Sequence, residues 1–256
     1  MTIDRRPLIL ISNDDGYQAK GLNVLIDLLH PIANIVVVAP DGARSGASSA
    51  IVSEVPLRYQ KVKEEYGLEV YKCNGMPVDC IKLALYTLVP RIPDLIIGGI
   101  NHGDNSSVNV HYSGTMGVAK EGCIKGIPSV GLSLCNHDWD ADFTQTLPVI
   151  RKIVEETLYR GLPYGVCLNV NFPNVAEYKG VKVCRQTRGD WSEEFECCNH
   201  PRGGKYYWLV GSYNNMEPEA TDTDKWALDN GYVAVVPTQI DMTAYGMLVE
   251  MKDCNL

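Results

Sequence analysis

Pro7-Leu8-Ile9-Leu10-Ile11-Ser12-Asn13-Asp14-Asp15-Gly16 is a run of aliphatic residues that ends abruptly in two acids and a glycine. Four consecutive aliphatics without polar alternation suit a strand of a parallel sheet that is covered on both faces. Gly16 allows a sharp turn beyond the acids. Helix is expected from about Lys20, with Leu22, Leu25, Ile26 and Leu29 on one face. The acids therefore fall at the carboxyl end of a first strand, where open α/β sheets bind ligands. Two adjacent carboxylates repel one another, and a hard divalent cation taking oxygen ligands would relieve them. A plainer reading, in which Asp14 and Asp15 only turn the chain and cap the helix, accounts equally well for this stretch taken alone.

Outward from this stretch the pattern repeats. Residues 35–39 form a second apolar run closed by Pro40, and the loop that follows, Asp41 to Ser49, is small, flexible and rich in hydroxyls, so that a Ser or a backbone group from it can reach the same end of the sheet. Residues 51–73 read as a partly polar, β-like excursion. A helix after Pro77 and a buried strand over 94–100 follow, and that strand empties into Asn101-His102-Gly103-Asp104-Asn105. Three strands thus deliver oxygen ligands at their carboxyl ends. Tyr112-Ser113-Gly114-Thr115 precedes a further helix; a Ser-Gly-Thr step there offers amides and hydroxyls to an anion, or simply an N-cap. A strand over 127–134, a helix over 143–159 and a strand over 166–171 complete an alternating β-α series.

Beyond Pro173 the texture changes. Residues 182–188 and 205–213 read as strands separated by a polar, cysteine-bearing connection over 189–204, and a short capped helix and a strand over 231–237 return to the main body. We divide the chain into a Rossmann-like domain, 1–173, and an extension, 174–256. The extension carries Trp191, Phe195, Tyr206, Tyr207 and Trp208, the aromatic content expected where a partner covers a surface.

The chain has 256 residues, 45% of them hydrophobic and 21% charged, as expected of a globular protein, and no apolar run reaches the roughly 20 residues of a membrane span. The start lacks the pattern of a signal peptide, so a cytoplasmic location is the default expectation. A net charge of -8 argues against wrapping a nucleic acid polymer, while a small anion held through a metal remains compatible. Nine cysteines without a secretory signal read as reduced thiols, and Cys197-Cys198-Asn199-His200 lacks the spacing of a zinc site.

The order of motifs resembles the SurE family of stationary-phase survival proteins, metal-dependent nucleotide phosphatases. The resemblance rests on Ser12 to Gly16, on the Ser45 loop, on Gly99-Ile100-Asn101-His102-Gly103, on Tyr112-Ser113-Gly114-Thr115 leading to Glu121-Gly122, and on Thr221-Asp222-Thr223-Asp224 before Gly231-Tyr232. It implies a mostly parallel sheet with helices on both faces and a C-terminal β arm that builds homodimers or homotetramers. It also implies 5′-nucleotidase activity on nucleoside monophosphates, with 3′-nucleotides and short polyphosphate as further substrates. Asp14, Asp15, Ser45 and Asn101 match the ligands of a divalent cation such as Mg²⁺ or Mn²⁺. Asp14, Asp15 and Asn101 would be catalytic, and Asn13, Ser113, Gly114 and Thr115 would hold phosphate. Two departures stand out: the link Asn105 to His111 is more polar than usual, and Tyr245 occupies a position that is His in many members.

On chemical grounds alone three rivals remain. One is a covalent phosphoryl acceptor at Asp14 or Asp15, although the Asp-x-Asp arrangement is absent. The second is a receiver-like signalling module, which length and the lack of a lysine after residues 127–134 disfavour. The third is a nucleotide-binding protein without turnover.

Overall fold

The computed structural model describes residues 6–252 and 254. Its organising element is the strand β1 (Leu8–Ser12), every residue of which is buried. Ile9 and Ile11 pack into one core with Leu22, Leu25 and Leu29 of α1 (Lys20–Leu29) and with Ile150 and Val154 of α4 (Thr146–Arg160). Leu8 and Leu10 pack into a second core with Cys80 and Ile81 of α2 (Pro77–Leu83) and with Val118 of α3 (Gly114–Ile124). Unbroken aliphatic character is thus the consequence of a strand sandwiched on both faces. Each such side chain, fully buried, contributes about 1.5–3 kcal/mol.

Nine strands form the central sheet, in the order β3-β4-β2-β1-β5-β6-β7-β13-β8. The parallel core comprises β4 (Leu68–Cys73), β2 (Asn34–Pro40), β1, β5 (Leu95–His102), β6 (Ser129–Leu134) and β7 (Val166–Phe172). On one edge the exposed β3 (Tyr59–Glu65) runs antiparallel to β4. The chain winds from β1 outward to β2 and β4, then returns to place β5 on the other side of β1 and continues to β6 and β7. The direction of winding reverses between β1 and β5, which makes the carboxyl ends of these two strands the topological switch point.

The C-terminal part belongs to the same sheet. β13 (Val233–Gln239) pairs antiparallel with β7, and the short β8 (Val181–Val183) pairs with β13. The expected strand over 182–188 is therefore mostly loop. The segment 189–204, expected to be a connection, instead contributes β9 (Gly189–Ser192) and β10 (Phe195–Asn199), which pair with β12 (Ser212–Asn215) and β11 (Lys205–Leu209) in two antiparallel ribbons. The strand expected over 205–213 is present as β11 and the start of β12; β10 escapes a search for alternation because both of its faces are largely exposed, and β9 because it spans only four residues.

α5 (Asp224–Asp229) is tied inward by a fully buried carboxylate. Asp224 accepts hydrogen bonds from the backbone amides of Ser107 and Thr187 (both 2.9 Å) and from the Thr187 hydroxyl (2.5 Å). This accounts for the second acid of Thr221-Asp222-Thr223-Asp224: it joins the extension to the loop that follows β5. α6 (Tyr245–Lys252) has no buried residue, and the Tyr245 hydroxyl donates locally, to Asp241. No helix among the described residues is long and apolar enough to cross a membrane.

Candidate functional site

Asp14 and Asp15 leave β1 at the switch point and diverge. Gly16, at φ +99°, carries the turn, and a Cβ there would lie 3.3 Å from Gly42 Cα of the loop after β2. Asn13 closes the same turn: its amide nitrogen donates to the Gly16 carbonyl (2.9 Å) while its oxygen accepts from the Gly16 amide (3.2 Å). The Asp14 carbonyl accepts from the Arg44 amide (2.6 Å), which brings the Ser45 loop beside the acids.

Asp14 turns towards α3. Its Oδ1 accepts from the buried Thr115 hydroxyl (2.6 Å). A Cβ at Gly114 would fall 2.8 Å from Asp14 Cβ and 2.9 Å from its Oδ2, so only glycine lets the helix approach the acid this closely. Ser113 caps the helix, accepting from the Met116 amide (2.9 Å). The start of α3 thus holds the acid as well as facing the cavity described below. Burial pushes the Asp14 carboxyl up to about 6; the Thr115 bond opposes this and the neighbouring Asp15 reinforces it.

Asp15 turns the other way, towards His102. One oxygen, Oδ2, accepts from the His102 backbone amide (3.2 Å) and from its Nδ1 (3.0 Å), since an ionised carboxylate can only accept. The imidazole is boxed between Trp139, stacked at 5.7 Å, and the edge of Phe143 at 5.1 Å, and its Nε2 is buried without a partner among the described residues. Residue type and spacing do not announce this role for His102, although it directly follows Asn101 in the quoted loop.

Asn101 sits just past a register shift between β5 and β6, where Gly98 pairs with Gly131 but Asn101 with Ser133. The extra residue re-aims the side chain, as bulges do. Its amide nitrogen is fixed on the Gly103 carbonyl (2.8 Å), so its oxygen is the end left for a ligand. Downstream, the loop is pinned by a buried amide network: Asn105 donates to Ser133 (2.7 Å), its backbone amide to Asn171 (2.7 Å), and Asn169 to the Asn105 carbonyl (2.8 Å).

A cavity of about 210 Å³ opens here, and Asp14, Ser45, Asn101 and Ser113 all line it, together with His102, Asp104 and His137. Asp15 lies at its back through His102. Of the residues expected to hold phosphate, Ser113 lines the cavity, whereas Asn13 serves the turn, and Gly114 and Thr115 lie against Asp14. Among the described residues no lysine or arginine lines it.

The donor set suits a hard cation. Each carboxylate has one oxygen engaged by a protein donor and a second oxygen left over, Asn101 offers an amide oxygen, and Ser45 is exposed at the rim. Among the described residues no group of three or more His, Cys, Asp or Glu is arranged so that it could hold a metal ion, so the set depends on an amide and a hydroxyl for its remaining oxygens.

An open α/β sheet with an acidic, oxygen-lined cavity at its switch point defines a small-ligand-binding protein of the doubly wound class. Within that class, residues 9–193 match the family model described as "Survival protein SurE", and the chain belongs to the SurE family. It is 65% identical to the 5′-nucleotidase SurE of Phocaeicola vulgatus, the alignment covering 98% of each chain. It is 57% identical to the protein of the same name from Bacteroides thetaiotaomicron, covering 97% of this chain and 96% of the other. The crystal structure of the SurE protein from Aquifex aeolicus superposes with a TM-score of 0.83 at 35% identity, covering 96% of this chain and 98% of that one.

The Asp14 environment has a measurable consequence in metal-free protein. The carboxyl rises from an ordinary 3.8 to about 6 on folding, a preference for the protonated form worth about 3 kcal/mol at 1.36 kcal/mol per pKa unit. Because the folded value is the higher one, this stability is fully present below about pH 3.8 and is lost as pH rises through 6. Asp14→Asn should therefore stabilise the metal-free protein against urea by up to about 3 kcal/mol at pH 8, and by little below pH 4. A variant less stable than the parent at pH 8 would contradict this reading of the buried acid.

Proposed function

We propose that the protein is a metal-dependent 5′-nucleotidase that hydrolyses nucleoside 5′-monophosphates to nucleoside and phosphate. The observation that carries this reading is a cavity lined by Asp14 and Asn101 and backed by Asp15 through His102, with no lysine or arginine among its described lining residues to meet a phosphate. A dianionic ester would be repelled by these carboxylates. The names and full-length identity of the relatives support the same activity.

Asp14, Asp15, Ser45 and Asn101 would hold a divalent cation, Mg²⁺ or Mn²⁺. When bound, such a cation supplies charge neutralisation, polarisation of a phosphoryl oxygen and acidification of water. The chain's own groups do the rest. Thr115 and His102 hold the two carboxylates in divergent orientations, so that their remaining oxygens, with that of Asn101, stay fixed before substrate arrives. Ser113, at the start of α3, faces the phosphate end of the cavity, where the helix dipole favours negative charge. His137 and Asp104, also on the cavity wall, are side chains able to take a proton from attacking water. Hydrolysis of 3′-nucleotides and short polyphosphate extends the same chemistry.

We assign the chemistry to residues 1–173 and assembly to 174–256. Phe195, Tyr207, Trp208 and Leu209 on the β10–β11 ribbon are 60–70% exposed, and α6 exposes Met247 and Val249. A two-stranded ribbon is marginal in water, and packing on a second copy would cover it.

Phosphate release from a panel of nucleoside monophosphates should require added divalent metal and vanish on exhaustive chelation. Asp14→Asn and Asp15→Asn should each lower kcat/KM at least 100-fold in folded protein. Full turnover after chelation would remove this mechanism, and wild-type rates in both variants would return Asp14 and Asp15 to turn-and-cap duty.

Assembly is checked by light scattering. The full chain should scatter as a homodimer or homotetramer at micromolar concentration, and deletion of residues 194–210 should lower the mass. A clean monomer of the full chain would leave the ribbons as a cover for their own subunit.

A further inference from the structure

Beside the acid cavity lies a larger one of about 410 Å³, and Asp104 and His137 belong to the walls of both. The acids stand at the ends of β1 and β5. The second cavity opens over the exits of β6 and β7, where Pro173 and Val175 form one side, and α5 closes it with Lys225, Leu228 and Asp229. Strands in a sheet lie about 4.8 Å apart, so two strands along the edge amounts to about 10 Å from the acids. That is a step a nucleoside covers when its 5′-phosphate is held at the switch point.

We infer that this second cavity holds the nucleoside part of the substrate while the phosphate occupies the acid cavity, an assignment that rests on the nucleotidase reading above. Size favours it. The acid cavity, at about 210 Å³, takes a phosphate but no whole nucleotide, whereas 410 Å³ falls in the range of small-molecule sites. Lining chemistry favours it as well. Pro173, Val175 and Leu228 offer apolar surface to a base. Lys225 can donate to ring nitrogens and carbonyls, and Asp229 can accept from amino groups and ribose hydroxyls.

The same charges argue against a second phosphate in this place. Lys225 is paired with Asp229 (3.3 Å) and is held further by Asp104, so two carboxylates face one ammonium. A monophosphate ester with an uncharged leaving group therefore suits the pair of cavities better than a longer phosphate chain. α5 is kept in place for this role by the buried Asp224 beside Lys225, which anchors the helix to Ser107 and Thr187.

The test compares adenosine 5′-monophosphate with glycerol 3-phosphate, which presents the same phosphate without a base. The readout is the ratio of their kcat/KM values at saturating Mn²⁺. Val175→Trp blocks the cavity from an exposed rim, and Lys225→Ala removes its ammonium. Both should lower the ratio at least tenfold, with the change in KM for the nucleotide. If Lys225→Ala fails to fold, Val175→Trp alone decides, because Val175 is 40% exposed and outside both cores. A ratio within twofold of the parent in Val175→Trp, with the nucleotide still hydrolysed, overturns the subsite alone. A parent protein that cleaves glycerol 3-phosphate but no nucleotide overturns the nucleotidase reading and the subsite with it.

Discussion

Two neighbouring carboxylates at the end of a strand buried on both faces are an electrostatic liability, and much of the structure around β1 is arranged about it. Asp14 is 5% exposed and sits beside Asp15, so burial and like charge both work against its ionisation. The protein relieves this only in part. Thr115 donates to one acid and His102 to the other, but among the described residues no lysine or arginine lines the cavity that Asp14 borders and Asp15 backs. A site built for stability alone would place a basic side chain there, or no acids at all.

The surrounding elements take their positions from this constraint. α3 approaches Asp14 only because Gly114 lacks a Cβ, and its second residue, Thr115, supplies the hydroxyl that holds the acid. The register shift in β5 turns Asn101 to the cavity, and a buried network of Asn105, Asn169, Asn171 and Ser133 fixes the loop that follows. The same loop is joined to the C-terminal extension through Asp224. The extension, by adding β13 and β8 to the sheet and α5 to its carboxyl edge, completes the rim on the side away from the acids.

Much of this is legible in the sequence, for physical reasons that differ from place to place. Leu8 to Ile11 announce a doubly covered strand because neither face meets water, and Gly16 announces a turn because its backbone conformation excludes most other residues. The convergence of Asp14, Ser45 and Asn101 follows from strand order, which the alternating β-α pattern carries. The role of His102 does not, because its partners Asp15, Trp139 and Phe143 lie on separate elements. Thr115 reads as an anion ligand or a cap until the fold shows its hydroxyl turned on Asp14. Of the ribbons, the strand over 205–213 is legible, whereas β9 and β10 are hidden: β10 has no buried face to impose alternation, and β9 alternates over only four residues.

The central claim is that Asp14 and Asp15, with Asn101 and Ser45, form a divalent cation site. Anomalous diffraction from crystals soaked in Mn²⁺ tests it most directly. The account predicts one strong peak at the carboxyl ends of β1 and β5, within coordination distance of both carboxylates and of the Asn101 oxygen, and its loss in Asp15→Asn crystals. Saturating Mn²⁺ with no peak between the two acids would contradict it.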